Sequence, residues 1–216
     1  MNIADTIMIF LILTNLSLLA SSRLNACIKM VALQGILVGL LPLIAVKGPL
    51  TIYSYLLALL IIAVKGVIFP YLLKYTLRSV DVRREIEPFI GYGASIIIGV
   101  IALIISFWLS MHIPFPEKIL SNSAPAVSFF TIFCGLFLIV SRVKALTQVM
   151  GYIVFENGIY IFGSALFIEQ SFLVELGIIL DVFVVVFIMG IMMFHISRAF
   201  DHIDTDKLGE AKSRDE

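Results

Sequence analysis

The chain has 216 residues, of which 61% are apolar and 14% charged, and its mean hydropathy is +1.09. Soluble domains are about 45–50% apolar and about 25% charged, so lipid must solvate most of this surface. A water-soluble enzyme, a nucleic-acid-binding protein and a disordered chain are excluded together, while the net charge of zero hides an uneven distribution of fifteen basic and fifteen acidic residues.

A bilayer core of about 30 Å is crossed by about 20 apolar residues in a helix. Seven stretches reach that length, at 4–21, 24–46, 50–77, 89–112, 124–140, 143–167 and 171–198. The expected fold is an all-α polytopic membrane protein with about seven transmembrane helices over 1–198 and a cytoplasmic tail over 199–216. The first stretch reads as a true helix rather than a cleaved signal, because Asp5 replaces the basic leading region and no small-x-small site follows. In the second, Gln34 is central, and Gly35 and Gly39 stand at the small-xxx-small spacing of close helix contacts.

The third stretch carries Lys65 near its middle, too far from either end to snorkel to the interface. Gly66 follows, and Pro70 lies four residues after that. Proline lacks its own N–H and clashes with the carbonyl four residues back, so a kink here should free the Gly66 carbonyl beside the Lys65 ammonium. The link SVDVRREIEP then carries Glu85 and Glu87 beside Arg83 and Arg84, as a solvated segment does. The fourth stretch ends at His112, and the fifth is the shortest. In the sixth, Glu156 is central, with Asn157 beside it and Gly151 and Gly158 flanking it. Asp181 stands ten residues into the seventh, whereas Glu169 and Glu175 fall near span ends. Cys27 and Cys134 lie in apolar runs without ligand or disulfide spacing and read as small core residues.

Shifting the chain by 119 residues lays Ser22-Arg23 on Ser141-Arg142, Ala26 on Ala145 and Gly39 on Gly158. Spans one to three would then correspond to spans five to seven in a parallel repeat, unlike the inverted repeats of many carriers.

An ionisable side chain at mid-bilayer costs about 2.5–3.5 kcal/mol on insertion scales, so it faces a protein or aqueous interior. Lys65, Glu156, Asp181 and Gln34 place four polar groups at similar depth on four helices. Neighbouring buried groups of this kind titrate as a coupled set, which suits a proton or ion relay, with Gly66 and Pro70 as its helix kink. The competing reading is a structural ion pair of Lys65 with Glu156 or Asp181. No catalytic or metal-ligating set is expected: His112, His195 and His202 lie at span ends or in the tail, and no Cys-x-x-Cys, phosphate loop or nucleophile elbow occurs.

The stretch from Arg23 to Arg78 resembles the small K subunit of bacterial complex I and the C subunit of multisubunit Mrp antiporters. Leu33-Gln34 falls where that family has its first mid-membrane glutamate, and Lys65 falls where it has the second. Neither acid is kept, so the role of two coupled glutamates does not carry over. A lysine in the third helix, followed by an apolar run and a proline, in a chain of seven spans, is more similar to component E of hydrogenase 4-type complexes. Those are membrane-bound nickel–iron hydrogenases, formate hydrogenlyases and their relatives. The resemblance implies a non-redox subunit of the cytoplasmic (inner) membrane, packed against large antiporter-like subunits in a proton- or sodium-translocating arm. It further implies that the nickel–iron centre and iron–sulfur clusters belong to partner subunits, with no cofactor and no nucleic acid bound here. A free-standing ion or solute transporter and a purely structural assembly subunit are the alternatives.

Basic residues set the orientation of spans. With seven spans, twelve fall on one side (Arg23, Lys29, Lys74, Arg78, Arg83, Arg84, Arg142, Lys144 and the four from Arg198 onward) and only Lys47 and Lys118 on the other. The C-terminus is therefore expected in the cytoplasm and the N-terminus outside. Reporter fusions after Lys47 and after Glu216 should report opposite sides of the membrane; the same side for both would overturn this topology.

Overall fold

A computed structural model of the chain describes residues 3–45, 52–79, 89–115, 120–165, 177 and 180–190. Every regular element among them is helical: α1 (Ile3–Ala20), α2 (Leu24–Gly39), α3 (Leu41–Ala45), α4 (Ile52–Ile61), a π-helical segment (Ile62–Ile68), α5 (Phe69–Ser79), α6 (Tyr92–His112), α7 (Ala124–Ser141), α8 (Ala145–Ala165) and α9 (Leu180–Gly190). Five stretches are long and apolar enough to cross a membrane: Ile3–Ala20, Leu24–Ile44, Ser54–Arg78, Tyr92–His112 and Ala124–Ser141. They make the chain a multi-pass membrane protein. The sixth predicted span is the 21-residue α8, which holds Thr147, Gln148, Glu156 and Asn157 and turns most of its residues inward. The seventh is described over α9 alone; the cytoplasmic tail, Glu169, Glu175 and the 80–88 segment with Glu85 and Glu87 lie outside the described residues.

The bundle closes through backbone approaches at glycines rather than through interlocking large side chains. Helices α7 and α8 form the most intimate pair. A Cβ on Gly135 would overlap the Phe155 backbone, and one on Gly158 would lie 2.7 Å from the Ile132 nitrogen. In lipid there is little hydrophobic force between helices, so such small-residue contacts supply the van der Waals attraction that holds them. The pair Gly35 and Gly39 behaves as its spacing predicts: Gly39 receives the Ile62 side chain, and Gly35 receives the Lys65 peptide itself.

The 119-residue shift superposes two breaks of the same local form. Arg23 (φ −90°, ψ 110°) and Arg142 (φ −104°, ψ 141°) are both extended residues between two helices. Their helices pack differently, since Gly39 faces the following span whereas Gly158 faces the preceding one. The arginines differ too: Arg23 is exposed and Arg142 is buried.

Two apolar clusters fill the interior. One contains Leu18, Val31, Phe69, Cys134, Ile153, Val154 and Val184; the other contains Leu11, Val38, Ile61, Val127, Tyr160 and Ile161. On five elements, buried polar residues fall at the boundary between them: Thr14 and Asn15 in α1, Gln34 in α2, Lys65 in the π-helical segment, Ser128 and Thr131 in α7, and Glu156 and Asn157 in α8. The interior is thus two dry layers separated by a polar seam. Cys27 and Cys134 are free, buried thiols, as expected of small core residues.

Overpacking a well-filled interior costs about 1–3 kcal/mol. Gly135→Ala should therefore lower the thermal unfolding midpoint in detergent. Gly93→Ala should not, because Gly93 meets nothing within 4 Å and alanine favours helix. Equal midpoints for the two variants would contradict this packing.

Candidate functional site

The site begins with a distortion of the third span. From Ile62 to Ile68 the helix is widened to the π form, and the Phe69 N–H donates to the Val64 carbonyl, five residues back. The next residue, Pro70, has no N–H, so in this register the Lys65 carbonyl receives no donor five residues on. That carbonyl packs on Gly35 of α2, where a Cβ would lie only 2.5 Å from its oxygen. The kink expected at Gly66 and Pro70 is therefore spread over seven residues, and the register frees the carbonyl of Lys65 rather than that of Gly66. Gly66 serves close packing: a Cβ there would lie 2.8 Å from the Ile36 side chain. Single π turns within helices are rare and concentrate at functional sites.

The distortion directs the Lys65 side chain into the bundle, where the residue is 2% exposed. Its Nζ donates to Glu156 Oε1 at 2.5 Å and lies 4.0 Å from Asp181 Oδ1 and 5.8 Å from the centre of the Tyr160 ring. Lys65, Glu156 and Asp181, chosen from three separate spans, thus form one cluster, with Glu156 the direct partner and Asp181 the second acid. Glu156 is enclosed, whereas the Asp181 side chain keeps 22% exposure. Lys65 and Asp181 line one groove of about 480 Å³ whose walls are otherwise apolar, built from Leu60, Ile61, Val64, Val182 and Val186 among others. If all three groups are ionised the cluster carries one net negative charge, and one proton held by the carboxyl pair brings it to zero.

Gln34 belongs to a second network in the same seam. Its Nε2 donates to Asn15 Oδ1 at 2.8 Å and to Thr14 Oγ1 at 3.1 Å. Asn15 Nδ2 in turn donates to Thr131 Oγ1 at 2.9 Å, and the two threonine hydroxyls donate to backbone carbonyls of their own helices. No described hydrogen bond joins Gln34 to Lys65, so the four predicted relay residues divide into a charged group of three and a neutral group around Gln34. Thr14, Asn15 and Thr131 were passed over in the sequence, although an Asn-Thr pair in mid-span is itself a signal of a polar interior.

Arg142, counted among the basic residues at span ends, stands at the end of α7 and is 1% exposed, a burial that its position in the sequence does not announce. Its Nη2 donates to the Leu19 carbonyl at 3.0 Å, at the end of α1, and its guanidinium lies 4.6 Å from the centre of the Tyr92 ring at the start of α6. It satisfies a terminal helix carbonyl that would otherwise lack a donor and ties three helix ends together. His112, by contrast, remains an exposed residue at the end of α6, 2.8 Å from the Trp108 carbonyl. Among the described residues no group of three His, Cys, Asp or Glu side chains could hold a metal ion.

No family model matches the chain, and no solved structure matches it. Among curated proteins it is 25% identical, over 205 residues, to an uncharacterised protein of Mycobacterium tuberculosis, covering 94% of this chain and 92% of that protein. It is also 24% identical, over 148 residues, to Hydrogenase-4 component E of Escherichia coli, and equally to that of Shigella flexneri, covering 68% of each chain.

Proposed function

We propose that this protein is a non-redox membrane subunit of a hydrogenase-like multisubunit complex of the cytoplasmic membrane, and that Lys65, Glu156 and Asp181 pass protons within its membrane arm. The similarity to Hydrogenase-4 component E over 148 residues supports the assembly. The buried Lys65–Glu156 ion pair with a second acid 4.0 Å from the ammonium carries the mechanism. A structural pair would need one acid for one base; the surplus carboxyl lets the cluster take up and release a proton while Lys65 stays paired. Protons suit it better than sodium, because the Lys65 ammonium already occupies the cation position between the carboxyls.

On this reading Glu156 is the enclosed member and Asp181 the one that exchanges outward, since it alone of the three keeps appreciable exposure. The apolar groove over Lys65 and Asp181 faces a neighbouring antiporter-like subunit, whose helices exclude bulk water from the exchange. Nickel–iron and iron–sulfur chemistry stays in partner subunits, and the seam of this chain supplies only proton-handling groups and their support.

Two measurements test the reading. Extraction in mild detergent should recover the chain with large hydrophobic partners; recovery alone or as a homo-oligomer would favour a free-standing transporter. In the intact complex, Lys65→Met keeps the volume of the stem and removes the titratable amine. Positioned proton-transfer groups contribute about 10²–10⁴-fold to the steps they serve. Substrate-driven acidification of inverted vesicles should therefore fall by about tenfold or more in the Met variant, and less in Lys65→Arg, at unchanged subunit stoichiometry. If Lys65 were only a structural partner, the acids left behind would take up a proton and translocation would continue. Normal translocation in Lys65→Met would overturn the relay.

A further inference from the structure

Besides Asp181 Oδ1 of the charged cluster, four buried polar atoms of the seam have no hydrogen-bonding partner in the protein: Gln34 Oε1, Asn157 Oδ1, Asn157 Nδ2 and Glu156 Oε2. Gln34 and Asn157 are fully buried, and Glu156 is 2% exposed. Native interiors rarely leave such groups unsatisfied, and a polar site with two to four convergent groups is where internal water binds.

Both amides sit next in sequence to residues that contact Lys65. Gln34 is the chain neighbour of Gly35, on which the Lys65 carbonyl packs, and Asn157 is the chain neighbour of Glu156, which holds the Lys65 ammonium. Both amides therefore stand one residue from a contact with Lys65, on two helices that touch each other. Successive helical residues turn by about 100°. Glu156 faces Lys65 and Gly158 faces Ile132 and Ser128 of α7, so Asn157 points into the arc between the third span and α7. The Gln34 network also reaches α7, through Asn15 and Thr131.

We propose that Gln34, Asn157 and Glu156 bind a pair of internal waters that extends the relay from the charged cluster toward α1 and α7. The first water donates to Gln34 Oε1 and Glu156 Oε2 and accepts from Asn157 Nδ2. A second water donates to the first and to Asn157 Oδ1, which completes all four orphaned atoms. In this arrangement the hydrogen bonds run from the second water through the first to ionised Glu156. A proton arriving at the second water displaces one of its own to the first, and the first passes one to Glu156 Oε2. No covalent bond of the amides changes, and the return path needs both waters to turn. Asn157 and Gln34 are positioning residues that hold the waters in line, and the inference rests on the relay reading of Glu156.

The test uses the assembled complex. A high-resolution map should show solvent density within hydrogen-bonding distance of Asn157 Nδ2 and Gln34 Oε1; dry packing at that place would overturn the proposal, as would density coordinated by oxygens with the short distances of a bound sodium ion. Asn157→Leu keeps similar bulk and removes both amide atoms. It should lower proton translocation by about tenfold, a modest part of what positioned proton transfer contributes. It should also shift the infrared carboxyl band assigned to Glu156 by its loss in Glu156→Gln. A purely structural Asn157 would leave that band in place, and so overturn the proposal. Normal translocation in Asn157→Leu together with impaired translocation in Lys65→Met would reject the water pair and leave the relay standing. Normal translocation in both would reject the two together.

Discussion

The buried ion pair between Lys65 and Glu156 is the constraint to which the rest of the molecule conforms. An ammonium at mid-membrane without a partner is unaffordable, and removing one member of a buried pair costs about 3–5 kcal/mol because the other is left as an uncompensated charge. The third span and α8 must therefore meet at one depth and in one rotation. That requirement explains why the buried polar residues of α1, α2, the third span, α7 and α8 fall at the boundary of the same two apolar clusters. Displacing one helix along its axis would bury a charge in a dry layer.

Placing the pair needs an unusual backbone. Lys65 lies in a π-helical segment, and α2 approaches so closely that the Lys65 peptide touches Gly35. The two features support one another. The wider helix leaves the Lys65 carbonyl without a donor in its own register, and the absent side chain of Gly35 gives that peptide room against the neighbouring helix. A larger residue at position 35 would displace the lysine backbone and with it the ammonium. Glycine at position 35 is thus linked to the electrostatics of the seam through packing alone.

Charge and packing divide the work between the middle of the bundle and its ends. The seam is polar and incompletely satisfied by protein groups. The helix ends are pinned instead: Arg142 donates to the end of α1 and stacks on the start of α6, and the Phe89 N–H donates to the Ser141 carbonyl. The Asp5 carboxylate at the start of α1 accepts from Ser121 just before α7. Pinned ends hold the polar residues of the middle at one depth.

Much of this was legible in the chain itself. Apolar runs of membrane length dictated the helices, because lipid leaves a backbone no other way to satisfy its hydrogen bonds. Charges at mid-span marked Lys65, Glu156 and Asp181, because an ionisable group in lipid must find a partner. The glycine spacing of Gly35 and Gly39 announced a close contact. Which groups meet depended on the rotation and neighbours of each helix, and one-dimensional spacing does not encode these. Only the folded bundle made Glu156 the direct partner and Asp181 the second, and joined Gln34 to Asn15 rather than to the charges. Only there does Arg142 turn inward and the proline at 70 act through a π-helical segment that frees the lysine's own carbonyl. Depth in a membrane is written along the sequence, whereas direction around a helix axis is settled by packing against the others.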